Sequence, residues 1–302
     1  MIEAVVFGNI TLDIICKTVN DVPRHDSLAF EEAAVMPGGC GSNVALGLCA
    51  LGVPTALVGC IGSDDAASVV KKFWGRFGLD HRFVQTVEGR STGISIGLVD
   101  RDMQPRFIHT PGANASLTVD VLDIPFLVQE GARFLHIAGY FVLPGILDGR
   151  LPKTLEKAQR FGLVTTLDVV RSKRMQDPSL LWPCMPFLDI FLCNAYEARR
   201  LTGEKEPHHA ASALRTRGAK AVVVKLGKDG CWVESTDFSG HIDAPRVEIV
   251  DTTGAGDAFA AGLIRGLSAG DGLYDACVAA NQAGARMVGY LGAVGGWIKD
   301  EQ

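Results

Sequence analysis

Short β-rich runs alternate with helical segments over most of this chain, and that alternation limits the folds open to it. The runs EAVVFG, TALVGCIG, RFLHIAG, LVTTLDVV, DIFLCN and KAVVVKLG are separated by helix-like segments that include 64–77, 150–161, 195–203 and 208–217. Strands joined through helices run parallel and are covered on both faces, so they read as nearly continuous apolar runs. The pattern predicts an α/β fold with a doubly wound, mostly parallel sheet flanked by helices. Ligands of such sheets sit at the carboxyl ends of the strands.

Two segments break the alternation. Residues 10–35 and 91–109 read as strands and hairpins with no helix between them, and DRDMQP supplies a turn in the second. They predict a small β-flap that pairs with itself above the main sheet. No low-complexity linker, repeat or charge block marks a second domain, so residues 1–302 are expected to form one domain carrying this flap.

Composition narrows the classes of partner. Apolar residues make up 47% of the chain, enough for a large core, and the net charge of −5 comes with no basic cluster longer than RSKR at 171–174. A nucleic-acid partner would need a basic surface to release counterions, so none is expected. No apolar run reaches the roughly 18 residues of a membrane helix, and MIEAVVFGNITLDII has no basic region before its apolar part. Eight cysteines lie scattered without a CxxC, mostly in apolar segments, which fits reduced thiols in a cytoplasmic protein.

Chemistry concentrates in two glycine stretches. In DTTGAGDAFAAG (251–262) a glycine loop opens into a helix and leaves backbone N–H groups at the positive end of the helix dipole. The amides of Gly254, Ala255 and Gly256 form a candidate anion hole, with the Asp257 carboxylate at its mouth as a proton acceptor for an attacking hydroxyl. An Asp that merely caps a helix is the plainer alternative. The loop is not a Walker A sequence, and Phe259 stands where a dinucleotide fingerprint needs its third glycine. The second stretch, PGGCGSNVALGLCALG, repeats the design near the N-terminus.

Together these strings resemble the C-terminal and N-terminal signatures of the ribokinase-like (PfkB) carbohydrate kinases, and the likeness in order and spacing covers essentially the whole chain. The resemblance implies a ribokinase-like fold with the flap as lid, and an ATP-dependent transfer of the γ-phosphate to a sugar hydroxyl with Mg2+ and, in some members, K+. Asp257 then matches the general base and Gly254–Gly256 the anion hole. Asp251 and Thr253 match a monovalent-cation site. Gly38, Gly39 and Asn43 match the backbone and amide that close on the sugar, and Asp13 in GNITLD matches an aspartate that binds it from the flap side; a solvated strand residue is the alternative for Asp13.

CNAYEARRLTG matches the family's N-x-x-E segment through Asn194 and Glu197, a pair one helical turn apart that resembles a site for nucleotide phosphate and hydrated magnesium; a capping box is the alternative. VVVKLGKDG resembles the strand and turn beside the nucleotide, through Lys225, Gly227 and Gly230, and Asn281 resembles an adenine contact. Lys225 departs from the threonine often found there in ribokinases. Family members often pair through the flap, which implies a homodimer.

The resemblance leaves the acceptor open. Cys40 and Tyr140 stand where ribokinases often carry Lys and Glu. Arg171 could pair with the carboxylate of a sugar acid such as 2-keto-3-deoxygluconate. A nucleoside would call for aromatic stacking by Tyr140, Phe141 or Phe107. A hexose or keto-sugar ranks first, a sugar acid second and a nucleoside third. Outside this class, GISIG at 93–97 matches a G-x-S-x-G nucleophile pattern at Ser95 without the helix it requires, a non-catalytic binder would need a lost base or broken anion hole, and His208-His209 lacks the spacing of a zinc site.

Overall fold

The computed structural model describes residues 1–101 and 105–298. In chain order its strands and helices are β1 (Ala4–Gly8), β2 (Thr11–Lys17), β3 (Glu32–Gly38), α1 (Cys40–Ala50), β4 (Thr55–Ile61), α2 (Asp65–Phe77), β5 (Val84–Thr86), β6 (Gly93–Val99), β7 (Pro105–Thr110), α3 (Ile124–Gln129), β8 (Phe134–Ala138), α4 (Leu151–Arg160), β9 (Val164–Asp168), β10 (Ile190–Asn194), α5 (Ala195–Thr202), α6 (Pro207–Arg215), β11 (Ala221–Lys225), β12 (Cys231–Glu234), β13 (Ser239–Ile242), α7 (Ala255–Ser268) and α8 (Leu273–Val288). All six β-rich runs of the sequence are strands.

The main sheet has the order β13-β12-β11-β10-β9-β8-β1-β4-β5. It is parallel from β5 through β11, and β12 and β13 extend it antiparallel. Along β1 the side chains alternate between two cores: Val5 and Phe7 pack with α4, α5 and α6, and Ala4 and Val6 with α1, α2, α7 and α8. A strand clothed by helices on both faces can be apolar at every position, which is why AVVFG shows no alternation of polarity. The antiparallel β12–β13 hairpin, with short strands and mixed residues, had no equivalent signal in the sequence.

The second sheet, β3-β2-β6-β7, is the flap. β2 pairs antiparallel with β3, and β6 with β7, but the two segments join through a parallel pairing of β2 with β6 that sets Asp13 opposite Ser95. Each half is thus a hairpin, and the seam between them is parallel. Of the turn DRDMQP, residues 102–104 lie outside the described residues.

Local sequence explains how the helices begin. Asp64 caps α2 by accepting from the Ala67 N–H at 3.0 Å, and α5 starts with a full capping box. α1 and α7 start differently, on Gly39 and Gly254 at φ 84° and 76°, with no side-chain cap. That backbone suits glycine, and it brings both helix N-termini to the carboxyl edge of the sheet.

Candidate active site

Three of the parallel strands end on polar residues: Asp168 closes β9, Asn194 closes β10 and Lys225 closes β11. The two glycine-started helices meet beside this edge. Asn43 in the first turn of α1 donates through Nδ2 to Asp257 Oδ2 in the first turn of α7, at 2.8 Å. The two glycine stretches of the sequence therefore build one site.

Their amides have different fates. In α1 the Cys40 N–H donates to Asn9 Oδ1 at 3.1 Å and the Ser42 N–H to the Asn9 carbonyl at 3.3 Å. In α7 the Ala255 N–H makes a long bond of 3.3 Å to the Thr252 carbonyl, and among the described residues no protein acceptor meets the N–H groups of Gly254, Gly256 or Asp257. Free amides at a helix N-terminus suit an anion, and those left free at α7 are of Gly254, Gly256 and Asp257 rather than Ala255. Asp257 does not cap the helix.

Burial drives the electrostatics. It lifts the Asp257 pKa to about 6, the Asp168 charge adds to this, and the Asn43 hydrogen bond, Lys225 and the Cys40 thiol oppose it. Asp13 is buried, not solvated; burial raises it to about 6 against a 2.6 Å hydrogen bond from Thr11 Oγ1, with the Asp257 charge helping the rise. Burial works against the Lys225 ammonium, but the carboxylates of Asp168, Glu197 and Asp257 outweigh it and hold its pKa above the ordinary lysine value. Burial also raises Glu197, opposed by Lys225 and by the N–H of Asn194. Asn43 Oδ1 is buried without a partner.

Beside this cluster Asn194, Ala195, Tyr196, Pro207, Lys225, Leu226, Gly227 and Asp229 line a cavity of about 520 Å³. Lys225 belongs to both places, because a Cβ built on Gly256 would lie 3.1 Å from its Nζ.

The pattern of a pfkB family carbohydrate kinase matches residues 1–299. The chain belongs to that family. PfkB relatives named as ribokinase or fructokinase are phosphotransferases that act on hydroxyl groups, and this chain is such an enzyme. It is 30% identical to the aminoimidazole riboside kinase of Salmonella typhimurium over 272 residues, 85% of this chain and 83% of the relative. It is 24% identical to probable fructokinase-6, chloroplastic, of Arabidopsis thaliana over 313 residues, 96% of this chain and 78% of the relative. The ribokinase crystal structure from Thermotoga maritima superposes with a TM-score of 0.80 at 27% identity, covering 98% of this chain and 96% of that one. The sheet and flap are the ribokinase-like fold.

Within this PfkB chain several residues singled out by sequence take structural positions. Tyr140 is only 1% exposed, stacks edge-on against Phe141 at 5.0 Å and faces Cys184, so it offers no surface to a ligand. The exposed Arg171 lies 4.8 Å over the Tyr196 ring, at the cavity rim and not in the Asp13–Asn43–Asp257 cluster. Asn281 is buried and its amide donates to the carbonyls of Ile242 and Asp243, bracing α8 against β13. A Cβ on Gly38 would strike the Asp13 carboxylate, on Gly39 the Asn9 carbonyl, and on Gly230 the Ile242 carbonyl; these glycines are bare because protein crowds them. Gly227, at φ 64° with open space around it, lines the cavity.

Asn194 and Glu197 form the capping box, at 2.8 and 2.9 Å. Asp251 is fully buried; Oδ1 accepts from the N–H and hydroxyl of Thr253 and Oδ2 from the Gly292 N–H. Sequence reasoning missed Asp168, His136 and the Cys40 thiol. Asp168 carried a usable signal, an acid that ends an apolar strand of a parallel sheet, where ligands gather.

Proposed function

We propose that the chain transfers the γ-phosphate of ATP to a hydroxyl of a small neutral sugar, a hexose or keto-sugar, at the cluster of Asp13, Asn43 and Asp257. One observation carries this reading: Asn43 is held by its Nδ2 on the candidate base while its buried Oδ1 lacks a donor. A buried acceptor without a partner is costly, and a substrate hydroxyl supplies the donor. A hydroxyl so bound lies next to the Asp257 carboxylate. Asp257 takes its proton as the oxygen attacks phosphorus, and the free amides of Gly254 and Gly256 bear the charge of the transferring group.

The residues fit the absent partners. Three carboxylates, those of Asp168, Glu197 and Asp257, surround one ammonium, Lys225, and Asp13 lies within the field of Asp257. Nucleotide phosphates enter such a place with a cation, and a putative ribokinase II of related fold from E. coli is known in complex with ATP and Mg2+. Among the described residues no three acidic, His or Cys side chains gather as a direct metal site, which suits Mg2+ held through water by Glu197 and by the phosphates. Magnesium, when bound, neutralises phosphate charge; Asn194, Lys225 and Gly227 hold the nucleotide. Asp251 uses three of about four lone-pair positions on protein donors, and with Thr253 would offer what is left to a monovalent cation.

The burial of Tyr140 and Phe141 removes two of the three aromatic candidates for stacking on a nucleobase, and the stacking of Arg171 on Tyr196 removes the expected partner of a sugar-acid carboxylate. Both support a neutral sugar. Val35, Phe107 and Ile108, exposed on the two edge strands of the flap, support a homodimer through that sheet.

The test is ADP release with Mg-ATP against fructose, ribose, 2-keto-3-deoxygluconate, adenosine, inosine and cytidine, with and without potassium. Turnover with a neutral sugar is expected. Turnover confined to the sugar acid or to a nucleoside would overturn the substrate reading, and light scattering with an edge charge, Ile108→Glu, checks the dimer.

A further inference from the structure

Behind the anion hole lies a row of buried polar groups to which the reaction above gives no part. Asp168 ends β9 at 2% exposure, and its Oδ1 accepts from the Gly139 N–H. His136, on the neighbouring strand β8 and 1% exposed, points Nε2 at Asp168 Oδ2 from 3.8 Å while its other nitrogen lies 2.8 Å from Thr166 Oγ1. His136 Nε2 has no hydrogen-bond partner. On the other side of β10 stands Lys225, whose Nζ approaches Gly256. A carboxylate this deep needs a counter-charge, and the ammonium within its field is Lys225.

The geometry points to Lys225 as a catalytic residue of the phosphoryl transfer, and to Asp168, fixed by the Gly139 amide, as the positioning residue that holds the ammonium beneath the anion hole. The inference rests on the phosphotransferase reading. In the step itself the bond from the substrate oxygen to phosphorus forms, the bond from phosphorus to the ADP oxygen breaks, and the proton goes to Asp257. Lys225 keeps its three protons and makes no covalent bond. It supplies a fixed positive charge where phosphoryl oxygens gather, next to amides that supply only partial charges. The buried strand beneath it limits the screening of that charge to the cavity side. Without Asp168 the ammonium would still be drawn to Glu197 and Asp257, toward the cavity and the base.

Steady-state kinetics on whichever acceptor the wild-type enzyme uses can separate these roles, with Asp257→Asn as control. Lys225→Met should lower kcat about 100-fold, with the acceptor KM within about threefold. Asp168→Asn should lower kcat about tenfold, and the double variant should be no slower than Lys225→Met alone, since Asp168 acts through Lys225. The charged and titratable groups facing Asp257 are Asp168, Lys225, Cys40 and Asp13. Removing the like charge of Asp168 should therefore move the acid limb of kcat/KM to lower pH, by about one unit. A merely structural Asp168 would give a loss that multiplies with that of Lys225→Met.

Lys225→Met retaining more than about a third of kcat, or multiplicative losses in the double variant, overturns the inference while the phosphotransferase reading stands. An Asp257→Asn enzyme as fast as wild type overturns both. Should Lys225→Met fail to fold, Lys225→Arg keeps the charge opposite Asp168: a kcat within about tenfold of wild type supports a fixed-charge role, and a larger loss in a folded protein refutes it.

Discussion

α1 and α7 begin alike, on a glycine with positive φ at the carboxyl edge of one sheet, and they use that beginning for different ends. At α1 the protein fills most of what the glycines expose: Asn9 takes the amides of Cys40 and Ser42, and Cβ atoms on Gly38, Gly39 and Gly41 would run into Asp13, the Asn9 carbonyl and the Gly8 backbone. At α7 the amides of Gly254, Gly256 and Asp257 are unclaimed among the described residues, and Gly256 faces a lysine ammonium. A glycine-rich helix start is thus two devices under one spelling. One lets chain cross chain closely enough to place Asn43; the other leaves an opening for charge.

Substitutions can break this division. Asp257→Asn should cause the largest change, a loss of about 10²–10⁴ in kcat with both substrates still bound, measured by ADP release. Retention of more than about a tenth of the rate would mean that α7 carries no base. Next comes Gly41→Ala, whose methyl would meet the Gly8 backbone with nothing flexible to yield. It should cost about 3 kcal/mol in a denaturant titration, while the protein that still folds keeps its kcat. Gly256→Ala should do the converse, because the far end of Lys225 can give way: stability within about 1 kcal/mol, and kcat down about tenfold. If the two alanines behaved alike, the distinction between the helices would fail.

The smallest effect concerns the acid beneath Gly38. The folded-state pKa of Asp13, about 6, lies above its ordinary value of 3.8, so its contribution to stability is present at low pH and is lost as pH rises from about 4 through 6. Asp13→Asn should then be more stable than wild type at pH 8, by about 1–2 kcal/mol, with the gap closing toward pH 4. In the same protein the sugar KM should rise strongly and the ATP KM change little. A stability gap independent of pH would show that Asp13 is not held against its charge.

The sequence made the main sheet legible because doubly covered strands such as AVVFG and AVVVK announce themselves by unbroken apolar character. It also brought Asp13, Asn43 and Asp257 forward, since each sits in a string too specific to be packing alone. Other residues were opaque for physical reasons. Tyr140 and Arg171 were placed by motif position, yet core burial and a stack on Tyr196 decide where they point, and neither follows from spacing. His136 hides in FLHIA, an otherwise apolar strand, and its pairing with Asp168 exists only once β8 and β9 lie side by side. The seam between β2 and β6 is equally non-local, as is the use of the Asn281 amide as a brace.

The Asn43–Asp257 hydrogen bond joins residues 214 positions apart. Contacts of such long range form late, because the loop between them must be closed before they contribute anything. Synthesis delivers the chain from its N-terminus, so β1, the flap and α1 can assemble while α7 is still being made. The growing protein therefore lacks both the α7–α8 cover of its sheet and the Asn43–Asp257 pair until late: no stretch of the chain that stops short of residue 257 holds both the amide and the acid. On the proposed mechanism phosphotransfer arrives only with the final sixth of the sequence, because a chain ended before α7 lacks the candidate base together with one layer of its core.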